Sequence, residues 1–317
     1  MTVPYTKPFL SIDQQVELLK SRGMAIPDET SAKSALASLG YYNLSGYWYP
    51  LRVIDPAAAE PSRLSDFLPG VSFDHAMALY SFDKSLRSCL LDRIELIEQA
   101  LKVAIALEIG QLHKNAHRGA GFFERSFTVP NPGETESRHQ MWLTKLDTEV
   151  QDRGTQWDFI RHFVAKYDPP IPIWVSIEIW EFGQAVRLFG GLKRHHQDNI
   201  SNRFGVARSA TFRSWLKSIN MVRNICSHHE RVWNRAITLS PAQLGHPFFT
   251  GTSTLPETWN RSYGTALMLR FLDDYVDPAS QWKARFRSLL GTFPTAPGAS
   301  LSGMGVPPSW ATESVWL

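Results

Sequence analysis

The chain has little cysteine and no long apolar run, and both absences narrow what it can be. Two cysteines in 317 residues, Cys89 and Cys226, leave no disulfide framework to read. Both sit in apolar helical runs, which makes them candidate small core residues. No stretch reaches about 18 uninterrupted apolar residues, so no transmembrane helix is expected. Met1 to Phe9 holds two prolines and a lysine rather than the apolar core of a signal peptide, which points to a cytoplasmic protein with no membrane partner. An excess of one charge sign is missing too. Thirty-three cations against 30 acids leave a net charge of +3, which is not the strong basic surplus of a dedicated DNA binder. Gly190-Gly191 is followed by no G-K-[ST], so nucleotide hydrolysis finds no support. His113 with His117, His195 with His196, and Cys226 with His228 and His229 bring metal-ligating types close together. No H-E-x-x-H or C-x-x-C frames them, so neither a metal nor another cofactor is expected.

What is present is a globular composition with a helical rhythm. Hydrophobic residues make up 43% and charged residues 20%, which places the chain among folded proteins with length enough for a sizeable core. Ser11 with Gln14 three residues on forms a capping-box pattern, and Gly23 stops the helix that follows. A second short helix is expected from Thr30 to Leu39. Tyr41 to Trp48 then packs four aromatics into eight residues. Such a block serves either as a platform for stacking RNA bases or as a packing wedge. The lack of interleaved cations before Arg52 favours the wedge.

Asp55 to Gly70, with Pro56, Pro61 and Pro69, reads as a linker. Ser72 to Leu112 carries apolar residues at three- and four-residue steps: Met77, Tyr80, Leu86, Leu90, Ile94, Ile97, Leu101 and Ile105. Glu98 and Lys102 add an i,i+4 pair. Further helices are expected over Glu136–Arg153, Trp157–Tyr167, Trp174–Phe189 and His196–Phe204, with a last one from Ser209 onward. Arg118 to Pro132 reads as a loop, and β pattern is confined to a short run near Ile237. The expected fold is all-α: an N-terminal helical unit over residues 1–54, a linker over 55–70, a helical domain over 71–290 and a packed tail over 291–317.

The most informative segment is Arg223-Asn224-Ile225-Cys226-Ser227-His228-His229, followed by Arg231-Val232-Trp233-Asn234-Arg235. An imidazole moves protons near neutral pH, and a guanidinium holds phosphate through a fixed fork of donors. On an ideal helix Asn224 and His228 are neighbours, whereas Arg223 lies about 140° away from His228. Either the arginine sweeps round or the helix breaks nearby. Glu95 falls among apolar residues, and a buried carboxylate needs a cationic partner such as Arg223 or Arg231. Glu178, Arg235 and His229 are further supporting candidates. Lys193, Arg194 and Lys217 belong to a run of local cations that suits an anionic partner.

The R-N-x-x-x-H spacing resembles the catalytic motif of HEPN-type ribonucleases. The wider segment resembles the signature of the Abi family of abortive-infection proteins, the AbiD/AbiF-like group. The likeness extends to Lys7-Pro8-Phe9-Leu10-Ser11, to Gly40-Tyr41-Tyr42-Asn43-Leu44-Ser45-Gly46-Tyr47-Trp48-Tyr49-Pro50, to Pro172-Ile173-Trp174 and to Met304-Gly305-Val306-Pro307-Pro308-Ser309-Trp310. It implies a HEPN-like helical bundle and a role in bacterial defence against phage. It further implies a metal-independent endoribonuclease in which Arg223, Asn224 and His228 act on RNA. Only one R-x-x-x-x-H occurs, so a homodimer is expected to supply the second half of the site. Two other readings are a non-catalytic RNA-binding or phage-sensing module, and a toxin held inactive by an antitoxin protein or RNA.

Overall fold

The computed structural model describes residues 4, 6, 8–58, 62–154, 156–239, 241–242, 246–250 and 252–317. Lys7 of the N-terminal motif and Pro61 lie outside them. Among the described residues the architecture is all-α, with thirteen α-helices and a single two-stranded hairpin.

Helix α1 (Ile12–Ser21) starts with the expected reciprocal cap, in which the Gln14 N–H donates to Ser11 Oγ and the Ser11 N–H to Gln14 Oε1. Helix α2 (Glu29–Leu39) is capped by Asp28. Gly40, at φ +81°, turns the chain straight into α3 (Tyr41–Trp48). That aromatic helix is a wedge. Leu44, Tyr47 and Trp48 are wholly buried, and the Trp48 ring packs on Tyr41 and Phe73. Of the four aromatics in the helix, Tyr42 is the one that points out, 92% exposed.

The segment read as a linker does more than connect. Strand β1 (Arg52–Ile54) pairs antiparallel with β2 (Arg63–Phe67). The Phe67 N–H then reaches the Arg22 carbonyl at 2.9 Å, and Leu68 N–H the Leu51 carbonyl at 2.9 Å. Prolines and alanines between the strands hide this pattern from a reading of periodicity.

Helix α4 (Phe73–Gly110) is the axis of the fold. Its 38 residues span about 57 Å. Apolar side chains surround it on several sides, because α3 packs on its first half and most of the later helices pack along its length. These are α5 (Arg125–Thr128), α6 (Arg138–Arg153), α7 (Asp158–Lys166), α8 (Ile173–Ser176), α9 (Phe182–Gly191), α10 (Arg194–Arg203), α11 (Ser209–Ser227), α12 (Ser262–Val276) and α13 (Trp282–Gly291). Of these, α8 to α13 touch α4, and α6 packs on α9.

One expected helix is broken. Residues 174–189 form two helices because Trp180 takes an extended backbone and buries itself, its Nε1–H donating to Ser176 Oγ at 2.8 Å. Glu181 and Gln184 then form a fresh reciprocal cap for α9. The two cysteines are core residues, as expected. Burial pushes the Cys89 thiol up to about 11 and the Cys226 thiol up to about 12, so neither is a nucleophile near neutral pH.

His117 is fully buried between Trp142 and Trp180, and neither ring nitrogen has a hydrogen-bond partner. Burial, helped by the nearby Arg118, lowers its pKa to about 3. Below pH about 6.5 the unfolded chain therefore takes up a proton that the folded chain refuses, and stability falls as the pH drops towards the folded value. Thermal melts should show a falling Tm between neutral and mildly acidic pH, and His117→Leu should flatten that slope. An identical slope in the variant would count against the assignment.

The wedge yields a second expectation. Trp48→Ala should destabilise the fold by about 3–5 kcal/mol, the usual cost of truncating a buried tryptophan. Denaturant titration measures the loss.

Candidate functional site

The motif lies where α11 ends. Arg223 and Asn224 sit in its last turns, Arg223 half-buried and Asn224 exposed. His228 is the C-cap, with its N–H donating to the Asn224 carbonyl at 3.0 Å. The helix breaks at the motif rather than running through it. The His229 N–H bonds the Cys226 carbonyl at 3.1 Å and the Glu230 N–H bonds the Ile225 carbonyl at 3.0 Å. This is a Schellman closure, and it requires a left-handed residue at the position after the cap. His229 supplies it at φ +59°, the one described non-glycine residue with positive φ. Glycine is the usual choice there, and a side chain in this region costs about 1–2 kcal/mol. His229 is thereby the turn-forming residue, while His228 projects into solvent.

The residues beyond the turn are held by a buried carboxylate. Asp83 on α4 is completely inaccessible. Its Oδ1 accepts the N–H of Trp233 at 2.7 Å and of Val232 at 3.1 Å. Its Oδ2 accepts the Tyr47 hydroxyl at 2.8 Å and an Arg87 guanidinium N–H. Burial pushes the Asp83 pKa up, and Arg87, Tyr47 and the two backbone donors each favour the ionised form against it. Burial also pushes up the Tyr47 hydroxyl, so it remains a donor. Arg231, next in line, donates through Nη1 to the Gly46 carbonyl of α3. A Cβ on Gly46 would lie 3.0 Å from that same nitrogen, so a side chain there would press on the guanidinium. The aromatic block and the Arg-Val-Trp segment, far apart in sequence, thus meet around one carboxylate.

Several expected roles change in this setting. Glu95 is exposed on the outer face of α4, and Glu98, one turn on, occupies the place expected for it. Glu98 is largely buried, pairs with Lys102 at 2.8 Å as the spacing predicts, and comes within 4.0 Å of Arg223 Nε. Arg231 is committed to Gly46, and Arg235 to Glu230. Glu178 is exposed on the tight turn before Trp180 and takes no part in the site.

Arg223 and Asn224 also line one end of a cleft of about 660 Å³ between α6, α9 and α11. Of the three cations expected to meet RNA, Lys217 lines this cleft. Lys193 and Arg194 lie at the start of α10 away from it, and Arg194 Nε is paired with Asp198 at 3.0 Å. Among the described residues, no three His, Cys, Asp or Glu side chains come together in a way that could hold a metal ion. No described helix is long and apolar enough to cross a membrane.

A family model described as Abi-like protein matches residues 34–234. The chain belongs to the Abi-like protein family. No curated protein and no solved structure matches it. The Abi-like match opens within α2, takes in the aromatic helix and Asp83, and closes at Asn234, one residue past the backbone that Asp83 holds. Both halves of the buried cluster therefore lie inside the family region. Membership of the Abi-like family supports a role in abortive-infection defence.

Sequence reasoning passed over Asp83, although the signal was there. An acid among the apolar residues of α4 is the pattern that drew attention to Glu95, and Asp83 adds a cation four positions on at Arg87. Asp83→Ala should lower stability by about 3–5 kcal/mol, because it strands Arg87 and two backbone donors in the core. Urea denaturation should show an earlier midpoint, and an unchanged midpoint would contradict the role given to the carboxylate.

Proposed function

We propose that this Abi-like protein is a metal-independent endoribonuclease of HEPN type, acting in abortive-infection defence with Arg223, Asn224 and His228 as its catalytic residues. One observation carries the reading. Around the end of α11 the neighbouring charged groups are tied into the support, while within R-N-x-x-x-H Arg223 Nη1 reaches only its neighbour Asn224 Oδ1, at 3.4 Å, and Asn224 and His228 stay at the surface. Asp83, Arg87, Arg231 and Arg235 are tied into bonds, whereas Asn224 and His228 are exposed, and Arg223 meets its nearest carboxylate only at 4.0 Å. A helix end that holds an arginine and a histidine free to act, on a rigid support, is what a phosphate-cleaving site needs.

The reaction is attack of an RNA 2′-hydroxyl on the adjacent phosphorus. The new P–O2′ bond forms as the P–O5′ bond breaks, leaving a 2′,3′-cyclic phosphate and a 5′-hydroxyl. His228 of one chain takes the 2′ proton, and His228 of a second chain gives a proton to the departing O5′. Each transfer contributes about 10²–10⁴-fold. Arg223 stabilises the charge gathered on the equatorial oxygens, and Asn224 positions the phosphate. With one motif per chain, a two-fold dimer brings two of them together. DNA is spared because it lacks the 2′ nucleophile.

Purified full-length protein incubated with total RNA in EDTA should cleave it and leave cyclic phosphate ends. His228→Ala and Arg223→Ala should each abolish cleavage without loss of helical content. His229→Gly, which suits the left-handed turn, should retain it. Mixing His228→Ala with wild-type chains should lower activity through mixed dimers. Full cleavage by a clean His228→Ala preparation would overturn the reading.

A further inference from the structure

The cleft beside the motif has a charge out of keeping with the rest of the chain. Arg138 and Lys145 from α6, Arg187 from α9, and Arg213, Lys217 and Arg223 from α11 line it, against the single carboxylate of Glu181. The whole protein carries a net charge of only +3. Glu181 is bound by Lys145 at 2.6 Å, which keeps its carboxyl below the usual range, and Glu149 also lies 3.5 Å from Lys145. Arg223 has Glu98 at 4.0 Å. Arg138, Arg187, Arg213 and Lys217 have no ion-pair partner among the described residues. Cations brought together from three helices without counter-charges repel one another within a Debye length of about 10 Å. An anion bound between them relieves that repulsion.

The cations are also ordered in space. Arg213, Lys217, Asn220 and Asn224 follow one another at steps of four, three and four residues, so they form one stripe along α11. The stripe is about 16 Å long and ends at the motif. Across from it, Gly183 and Gly190 stand two turns apart on α9. A Cβ on Gly190 would lie 3.1 Å from Arg213 Cδ, and one on Gly183 would lie 3.5 Å from the Asn220 amide. Gly190 thus gives Arg213 room along the cleft floor, while the approach at Gly183 is an ordinary contact. Apolar surface completes the lining, with Met141 57% and Leu239 46% exposed.

We infer that this cleft is the track on which single-stranded RNA reaches the motif, its phosphates on Arg138, Arg187, Arg213 and Lys217 and its bases against Met141 and Leu239. The inference rests on the ribonuclease reading for the identity of the strand. A volume of about 660 Å³ is that of a small-ligand site, with room for a few nucleotides of one strand. A positively charged groove that tracks the backbone characterises single-strand binding, and the unstacked bases of a single strand are free to meet the apolar lining. A duplex hides its bases and would touch the rim alone.

The test uses full-length His228→Ala protein, which binds without cleaving, and a fluorescein-labelled single-stranded RNA of mixed sequence. Anisotropy titrations over a salt series compare this protein with versions that add either Arg187→Gln/Lys217→Gln or, as a remote control, Lys283→Gln/Arg287→Gln. The cleft pair should weaken binding about tenfold and reduce the slope of log K against log salt by about 1.4, two phosphate contacts at roughly 0.7 each. The control pair should leave the slope unchanged. Equal losses from both pairs, no binding by the parent, or equal competition by a duplex would overturn the inference. Because cleavage is not the readout, its outcome is separate from that of the ribonuclease reading. A protein that binds through the cleft but cuts nothing retains the track and loses the chemistry.

Discussion

The rest of the structure depends on a single buried charge. Asp83 lies inside the longest helix with no access to water, where an unpaired carboxylate would be very costly. It is tolerated because Arg87, Tyr47 and two backbone N–H groups all point at it. Each of those donors comes from a different part of the problem. Arg87 is local to the helix, Tyr47 comes from the aromatic block, and the N–H groups belong to the chain just after the motif. Satisfying one carboxylate therefore forces three distant segments into a single arrangement. The motif inherits its position from that requirement.

This arrangement separates the supporting groups from the exposed motif side chains over a dozen residues. Val232 and Trp233 give their backbone to Asp83, and Arg231 gives its guanidinium to the carbonyl of Gly46. His229 spends its conformation on a left-handed turn. Strain in such a turn persists only where surrounding structure over-determines it, and such strain gathers at functional sites. Here the over-determination is visible: a helix end on one side and the Asp83 anchor on the other. Between them His228 is presented to solvent, and Arg223 and Asn224 face a cleft rich in uncompensated positive charge. Stability is given up in both places, in the left-handed histidine and in the clustered cations. Both lie next to the same three side chains.

The helical plan of this Abi-like protein was legible from the sequence because it rests on local physics. Serine caps, glycine stops and three-and-four spacing act within a few residues, so α1, α2, α4, α6 and α11 stand where the pattern puts them. The wedge character of Tyr41 to Trp48 was legible too, since aromatics without interleaved cations have little to do but pack. The hairpin at Arg52–Ile54 and Arg63–Phe67 was not, for its pairing is completed by Arg22 and Leu51 from outside the segment. Nor was the break at Trp180, where burial against Trp142 outweighs helical continuity.

By itself the sequence determined the all-helical class, the residue types at the motif and the family likeness that names a chemistry for them. Tertiary structure decided which carboxylate serves which purpose. Glu95 and Asp83 both stand among apolar residues of one helix, yet one is exposed and the other is the most heavily bonded acid in the core. Helical spacing says how residues share a face, and only the packing of other helices says which face is covered. The cleft follows the same rule. Its cations come from α6, α9 and α11, separated by long stretches of chain, and their charges add only because the fold sets them side by side.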